Sequence, residues 1–424
     1  MTTEAAIEAV WRIESGRLIA TLARITRDFS TAEDLAQDAF EVALKQWPRD
    51  GIPENPGAWL TGTAKHLAVD RHRRRLTLER KLETLAIEDA SRPEGVDPMA
   101  AIDEDIDAGV EDDMLRLIFT ACHPVLTPES QVALVLRTLG GLQTREIARA
   151  FLVPEATIGQ WISRAKKTLS DHEVRFELPD AAERSARLTA VLGVVYFIFN
   201  EGYSASTGDD WTRPALCNDA LRLGRVLAGL RPDEPEVHGL LALMELQASR
   251  IPARTTDGGE PVLLGDQDRR RWDQLLIRRG LAALERAEEL GGGAYTLQAA
   301  IAACHARSRS VEETDWRRIV ALYTVLSHLA PSPVVSLNRA VAVGMAEGPT
   351  YGLELTDLLA DDPSLATYPQ LPAVRATFLE RLGRREEAQR EFERAAALTQ
   401  NASERRLYLS RASALVGSGS RSPA

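Results

Sequence analysis

Apolar positions recur at helical spacing from the first residues almost to the last, and the chain reads as a succession of helices. Ser30, Thr31, Ala32 and Glu33 form a capping-box pattern that opens a helix near Ala32. That helix should run to Trp47 and stop at Pro48. Gly51, Pro53 and Pro56 mark a loop, and a second long helix starts near Gly57, Ala58 and Trp59 and continues through KHLAVDRHRRRLTLERK. Residues 1–82 form one helical domain on this reading. Residues 83–112 are poor in apolar positions, rich in acid and interrupted by Pro93, Gly95 and Pro98, the composition of a flexible linker.

The periodicity returns at Asp113. Thr127, Pro128 and Glu129 open a helix that ends at Gly140 and Gly141. The following TREIARAFLVPEATIGQWISRAKKTL has the pattern of a helix-turn-helix. Ile147 and the small Ala148 lie on its first helix, Leu152 and Val153 make the turn, and Pro154 opens the second helix. Ile158 and Ile162 face the core, and residues 113–176 make up this module. Beyond Glu177 the chain stays helical, with loops at 204–213, 252–268 and 291–294. Residues 186–290 form a helical extension, and residues 291–413 carry helical repeats. In LPAVRATFLERLGRREEAQREFERAAALTQN, from Leu371, the residues Ala376, Leu379, Gly383, Ala388, Phe392 and Ala395 fall where a tetratricopeptide repeat places its packing residues. A weaker copy, SLNRAVAVGMAEGPTYGLELTDLL, lies about one repeat length (~34 residues) earlier. Residues 414–424 read as a frayed tail.

Composition sharpens this picture. At 424 residues the chain is too long for one compact domain. Aromatics make up only 5% while Ala, Leu, Glu and Arg abound, so an all-α fold is expected. The most apolar stretch, Leu188 to Phe199, is too short to cross a bilayer, and the N-terminus lacks a secretory pattern, so a cytoplasmic protein is expected. The three cysteines are far apart and have no partners at metal-ligand spacing. No nucleophile motif, phosphate loop or metal spacing is present, which argues against an enzyme and implies no cofactor.

The net charge of −11 opposes general nucleic-acid binding, but the charge is unevenly placed. Basic residues gather between Lys65 and Lys81 and between Arg164 and Lys167, on either side of the acidic linker. Asp34, Gln37, Asp38 and Glu41 share one helical face, either a solvated surface or a docking face for a basic protein. Trp59, Lys65, His66, Arg71, Arg73, Arg74 and Arg75 combine stacking and phosphate-neutralising groups, or else a solubilising end with Trp59 in the core. On the second helix of the helix-turn-helix, Glu155, Thr157, Gly159, Gln160, Arg164, Lys166 and Lys167 are the exposed candidates for a major groove. Asn200–Tyr203 and Asp266–Arg269 are polar clusters that would be ligand sites or buried networks fixing helix packing.

These segments carry a resemblance. AEDLAQDAFEVALKQW with NPGAWLTGTAKHLAVDRHRRR is similar to region two of extracytoplasmic-function RNA polymerase sigma factors, and TPESQVALVLRTLGGLQTREIARAFLVPEATIGQWISRAKKTL is similar to region four. The resemblance implies that Asp34, Gln37, Asp38 and Glu41 contact core polymerase at the beta-prime clamp helices. Trp59, Lys65, Asp70, Arg71, Arg74 and Arg75 would read and melt the −10 element. Arg145, Thr157, Gln160, Arg164, Lys166 and Lys167 would bind the −35 element, with the beta flap a further polymerase contact. Gly159, Gln160 and Trp161 depart from the Lys-Ser-Arg of many region-four helices, so some basic contacts are missing and Trp161 is free to pack. VVYFIFNEGYSAS, GLLALMELQASRIPAR and DQDRRRWDQLLIRRG resemble the TPR-like extension of one subgroup, whose genes sit beside YCII-related, DGPF-type proteins. A regulatory extension and such a partner are the implied expectations. The competing reading is a stand-alone helix-turn-helix regulator with TPR sensing repeats, which would not need the region-two segment.

Overall fold

The computed structural model describes residues 3–26, 28–69 and 110–417, which fold as helices in two compact units, Met1–Val194 and Val195–Ala424. The acidic linker up to residue 109 lies outside the described residues, as do Asp70, Arg71, Arg74 and Arg75.

In the first unit, α1 (Thr3–Thr26) packs along α2 (Phe29–Asp50). Their seam holds Ile19, Leu22, Leu35 and Trp47, each at most 2% exposed, and Trp11 stacks on Phe40 with centroids 4.5 Å apart. The capping-box expectation is corrected: Asp28 caps α2, its carboxylate accepting from Thr31 N at 2.6 Å, so the helix starts earlier. Pro48 does not stop the helix either. It sits in the last turn, which closes when Gly51 N–H donates to Trp47 O at 3.0 Å, with Gly51 in the left-handed region at φ 85°. Asn55 then accepts from Ala58 N at 3.0 Å and opens α3, residues 56–69.

Helix α4 (Val110–Ala121) docks on α1 through Asp113, 1% exposed, which pairs with Arg24 and Arg116, each at 2.7 Å. Thr127 caps α5 (Pro128–Thr138), and α6 (Thr144–Phe151) and α7 (Glu155–Asp171) follow. The corner between α5 and α6 meets α1 closely. A Cβ on Gly141 would lie 2.7 Å from Ser15 Oγ and 3.0 Å from Arg12 Cα. Helix α8 (Ala181–Tyr203) runs from this unit into the next.

The second unit is a series of helical hairpins: α9 (Pro214–Leu230), α10 (Pro235–Ala248), α11 (Gln274–Glu289), α12 (Ala294–Arg307), α13 (Trp316–Leu329), α14 (Pro333–Ala346), α15 (Pro349–Asp357), α16 (Gln370–Arg381), α17 (Arg385–Leu398) and α18 (Ala402–Gly417). Ala376, Leu379, Ala388, Phe392 and Ala395 join one core cluster with Tyr408, Ala412 and Leu415 of α18. Residues 414–417, expected in the tail, belong to α18. Leu415 continues the apolar face of Tyr408 and Ala412, and the helix persists to Gly417. The earlier hairpin, α14 with α15, crosses at Gly344 and Gly352, with Phe378 of α16 over both. The one strand pairing among the described residues is short: Thr207 and Gly208 pair in parallel with Gln400 and Asn401. No described helix is long and apolar enough to cross a membrane.

Gly352→Ala would put a methyl carbon 2.5 Å from the Phe378 ring and 2.8 Å from Gly344 Cα. It should destabilise the unit by about 1–3 kcal/mol, seen as a lower urea midpoint. His305, 9% exposed, has its ring edge-on to Trp316. Burial, then the guanidiniums of Arg250 and Arg269, push its pKa down from 6.5 to about 4. The folded value is depressed, so its neutral form contributes full stability above pH 6.5, which is lost as pH falls toward 4. The loss should approach about 3 kcal/mol, and His305→Gln should flatten that part of the stability–pH curve.

Candidate nucleic-acid interface

Helix α2 presents the acidic face. Asp38 and Glu41 are exposed, the latter beside Lys45 at 3.7 Å, while Asp34 and Gln37 are half-buried. The face has a member that sequence reasoning missed as a charged contact. Glu33, assigned there to a capping box, is 2% exposed; it accepts from Arg137 Nε at 3.1 Å and from Gln37 Nε2, and forms an ion pair with Lys166 Nζ. Its only sequence signal was its place one residue before Asp34 and four before Gln37, since Arg137 and Lys166 lie more than a hundred residues away.

Lys166 stands at the end of the second candidate set. Leu152, at φ 53° and 52% exposed, turns α6 into α7. Ile147 and Ile158 are fully buried between the two helices, as their spacing predicts. Arg145, Gln160, Arg164 and Lys167 are exposed and Thr157 is half-buried. Lys167 pairs with Asp171 one turn on, at 2.7 Å. Lys166 is not a solvent-facing contact in this arrangement, because its ammonium bridges Glu33 and Asp34, the latter at 3.7 Å. Arg12 of α1 pairs with Glu146 of α6, whose other carboxylate oxygen accepts from Gln143 N at 2.7 Å. The acidic face of α2 and the positive end of α7 thus meet within the first unit. A charge-complementary seam of partly buried groups holds them.

The third set is less complete. Trp59 of α3 is half-buried, edge-on to Trp47 with centroids 5.2 Å apart, so its ring belongs partly to the core. Lys65 is half-buried and His66 exposed. No cluster of three metal-ligating groups exists among the described residues, and Cys122, Cys217 and Cys304 are free and buried. Burial raises the Cys122 and Cys217 thiols to about 12, so neither is a nucleophile near neutrality.

Comparison with known proteins fits this anatomy. Residues 12–76 match Sigma-70 region 2, residues 116–169 match Sigma-70 region 4, and residues 187–288 match a family of unknown function, DUF6596. The chain thus carries the two DNA-binding regions of the sigma-70 class. It is 44% identical over 386 residues to uncharacterized protein R00370 of Rhizobium meliloti, covering 90% of this chain and 89% of that one, and it belongs to the same family. It is also similar to the probable ECF RNA polymerase sigma factor SigI of Mycobacterium tuberculosis, 26% identical over 42% of this chain and 59% of that protein. The ECF RNA polymerase sigma factor SigX of Bacillus subtilis is 25% identical over 39% of this chain and 83% of its own length. The crystal structure of yeast Tom70 aligns at a TM-score of 0.30 with 10% identity, covering 92% of this chain and 81% of that one, and a likeness of that size carries no argument.

The seam is open to test by substitution. Glu33→Ala takes the buried carboxylate from Arg137 and leaves Lys166 only its longer contact with Asp34, and should cost about 2–4 kcal/mol in denaturant unfolding. Lys167→Ala, which breaks only an exposed pair, should stay within about 0.5 kcal/mol of the parent.

Proposed function

We propose that this chain is an extracytoplasmic-function sigma factor that directs core RNA polymerase to promoters. The observation that carries this reading is one chain holding region 2 and region 4 in order, each with its charged helix at the surface. Asp34, Gln37, Asp38 and Glu41 form the polymerase-docking face at the beta-prime clamp helices. Trp59 and Lys65, with Asp70, Arg71, Arg74 and Arg75 outside the described residues, act at the −10 element. Arg145, Thr157, Gln160, Arg164, Lys166 and Lys167 act at the −35 element, near the beta flap. The chain does no covalent chemistry.

The seam gives this factor a resting form. A phosphate must compete with Glu33 and Asp34 for Lys166, and a basic polymerase surface must compete with Lys166 for Asp34. Docking on polymerase then replaces the internal pairs with external ones and presents both grips at a fixed spacing, which makes two weak contacts act together. The second unit is a TPR-like extension of the DGPF-associated subgroup. It regulates the sigma regions, with a YCII-related, DGPF-type protein as a partner of that surface.

Run-off transcription with core enzyme tests the central reading. Initiation from a cognate promoter is expected, and its absence would reject the proposal. Gel shifts separate it from a stand-alone regulator: specific duplex binding should need core enzyme, and tight binding without it would favour the regulator. Asp38→Lys with Glu41→Lys should weaken core binding at least about tenfold with the fold intact, because both side chains are exposed. Truncation after Tyr203 should change promoter output or its control, and unaltered transcription would remove the regulatory role.

A further inference from the structure

The second unit carries a half-open cavity of about 530 Å³ that none of the sigma-region contacts uses. Its volume is that of a small-molecule site. Ile301, Ile319 and Leu326 give it an apolar floor, and the amides of Asn200, Gln247 and Gln298 stand among them. Arg250, at the end of α10, is the one arginine in the lining.

Several other arginines of this unit have carboxylates. Arg213 pairs with Glu201, Arg225 with Glu245, Arg375 with Asp357 and Glu391, and Arg411 with Glu380. Arg250 has none among the described residues. Its partners are the Gln267 amide oxygen at 3.4 Å and the rings of Tyr203 and Trp272, 6.0 and 5.6 Å from its guanidinium carbon. Its charged surroundings add to the imbalance. Arg254, 7% exposed, lies 3.8 Å over the same Tyr203 ring and likewise lacks a carboxylate partner. Arg269 lies 5.0 Å over Trp272 and is held by the carbonyls of His305 and Ser308. Three guanidiniums thus gather round two aromatic rings with no carboxylate bonded to any of them among the described residues. His305 also lines the cavity, and its buried Nδ1 has no hydrogen-bond partner among the described residues.

An enclosed cation without a counter-charge is costly, and arginine does not escape by losing its proton. Burial lowers the Arg250 pKa, with Tyr203 opposing and Arg254 reinforcing the shift, so its charge is held at a disadvantage. A bound anion would remove that disadvantage. The planar fork of a guanidinium matches a carboxylate or a phosphate. Of the three arginines only Arg250 lines the cavity, so a single negative charge is the simplest match there. The apolar floor calls for a hydrocarbon body.

We propose that this cavity binds a small organic monocarboxylate, its acid group on Arg250 and its apolar body over Ile301, Ile319 and Leu326. The polar clusters at Asn200–Tyr203 and Asp266–Arg269 divide accordingly. Glu201 and Asp268 are spent on Arg213 and Arg270, while Asn200 lines the cavity and Gln267 steadies Arg250. The site stands whether or not the chain serves polymerase.

The test uses the full chain, with calorimetry and thermal unfolding in the presence of octanoate, 3-phenylpropanoate and indole-3-acetate. The neutral amide of each acid and inorganic phosphate are the comparisons. At least one acid should bind about tenfold or more tightly than its own amide, as expected for a charge-assisted pair, and raise the unfolding midpoint. Arg250→Gln should erase that preference without lowering the midpoint of the ligand-free protein, whereas Arg270→Gln, at an exposed arginine, should keep it. Acids that bind no better than their amides, no binding by any acid, or phosphate matching the best acid would each overturn the proposal. So would a preference that survives Arg250→Gln. The acid–amide comparison on the unaltered chain decides even if the variant fails to fold.

Discussion

The first unit is organised round one carboxylate. Glu33 is almost wholly out of water, and a buried acid persists only where cations or donors replace its hydration. Arg137 and Lys166 supply that replacement from α5 and α7. The helices before the linker and the module after it are therefore coupled by charge as well as by apolar contact. Charge contacts of this kind are exchangeable. A basic partner can take over the acids and a phosphate can take over the lysine, and each exchange weakens what is left of the seam. An apolar seam of equal size would have held more tightly and given such partners nothing to exchange.

Much of this architecture was legible in the residues because local patterns dictate it. The helix-turn-helix was readable since Ile147, Ala148, Ile158 and Ile162 are spaced for two crossing helices, and all four are buried there. The repeat from Leu371 was readable for the same reason, its small and large apolar positions meeting in a single cluster. The errors came where two local rules competed. Ser30 and Asp28 both can cap a helix, and the aspartate prevails because its carboxylate reaches Thr31 N. Pro48 reads as a stop, yet the helix runs two residues past it at the cost of one bond to the Leu44 carbonyl, and Gly51 supplies the closing bond. Of the candidate sites, surface exposure was inferable for Asp38, Glu41, Gln160 and Arg164. The masking of Lys166 was not, since it depends on a residue far away in sequence. Nor was the solitary state of Arg250, because no spacing rule tells which of many arginines will find an acid.

The second unit uses glycine where the first uses charge. Gly344 and Gly352 bring two helices together under Phe378, and Gly239 and Gly280 similarly lie where a Cβ would meet Thr296 and Leu246. Backbones so close leave little room for side chains between neighbouring hairpins. Open space remains in the cavity beside α12, α13 and α14. Arg250, which borders this space, and its neighbours Arg254 and Arg269 stack on aromatic rings, an arrangement that tolerates a cation without neutralising it.

The pairing of residues 207–208 with 400–401 changes how such an array should behave mechanically. Stacked hairpins ordinarily contact only their neighbours, so either end frays independently. Here the Asn401 side chain donates to the Ala205 and Asp210 carbonyls, and Ser403 to that of Asp209, so the final helix anchors the first loop. That loop also carries Trp211, whose ring lies 5.4 Å beneath Arg254. The array is in effect buckled like a strap. Loosening its last turn would slacken the wall beside the arginine cluster, nearly two hundred residues upstream, without any signal having to travel through the intervening hairpins.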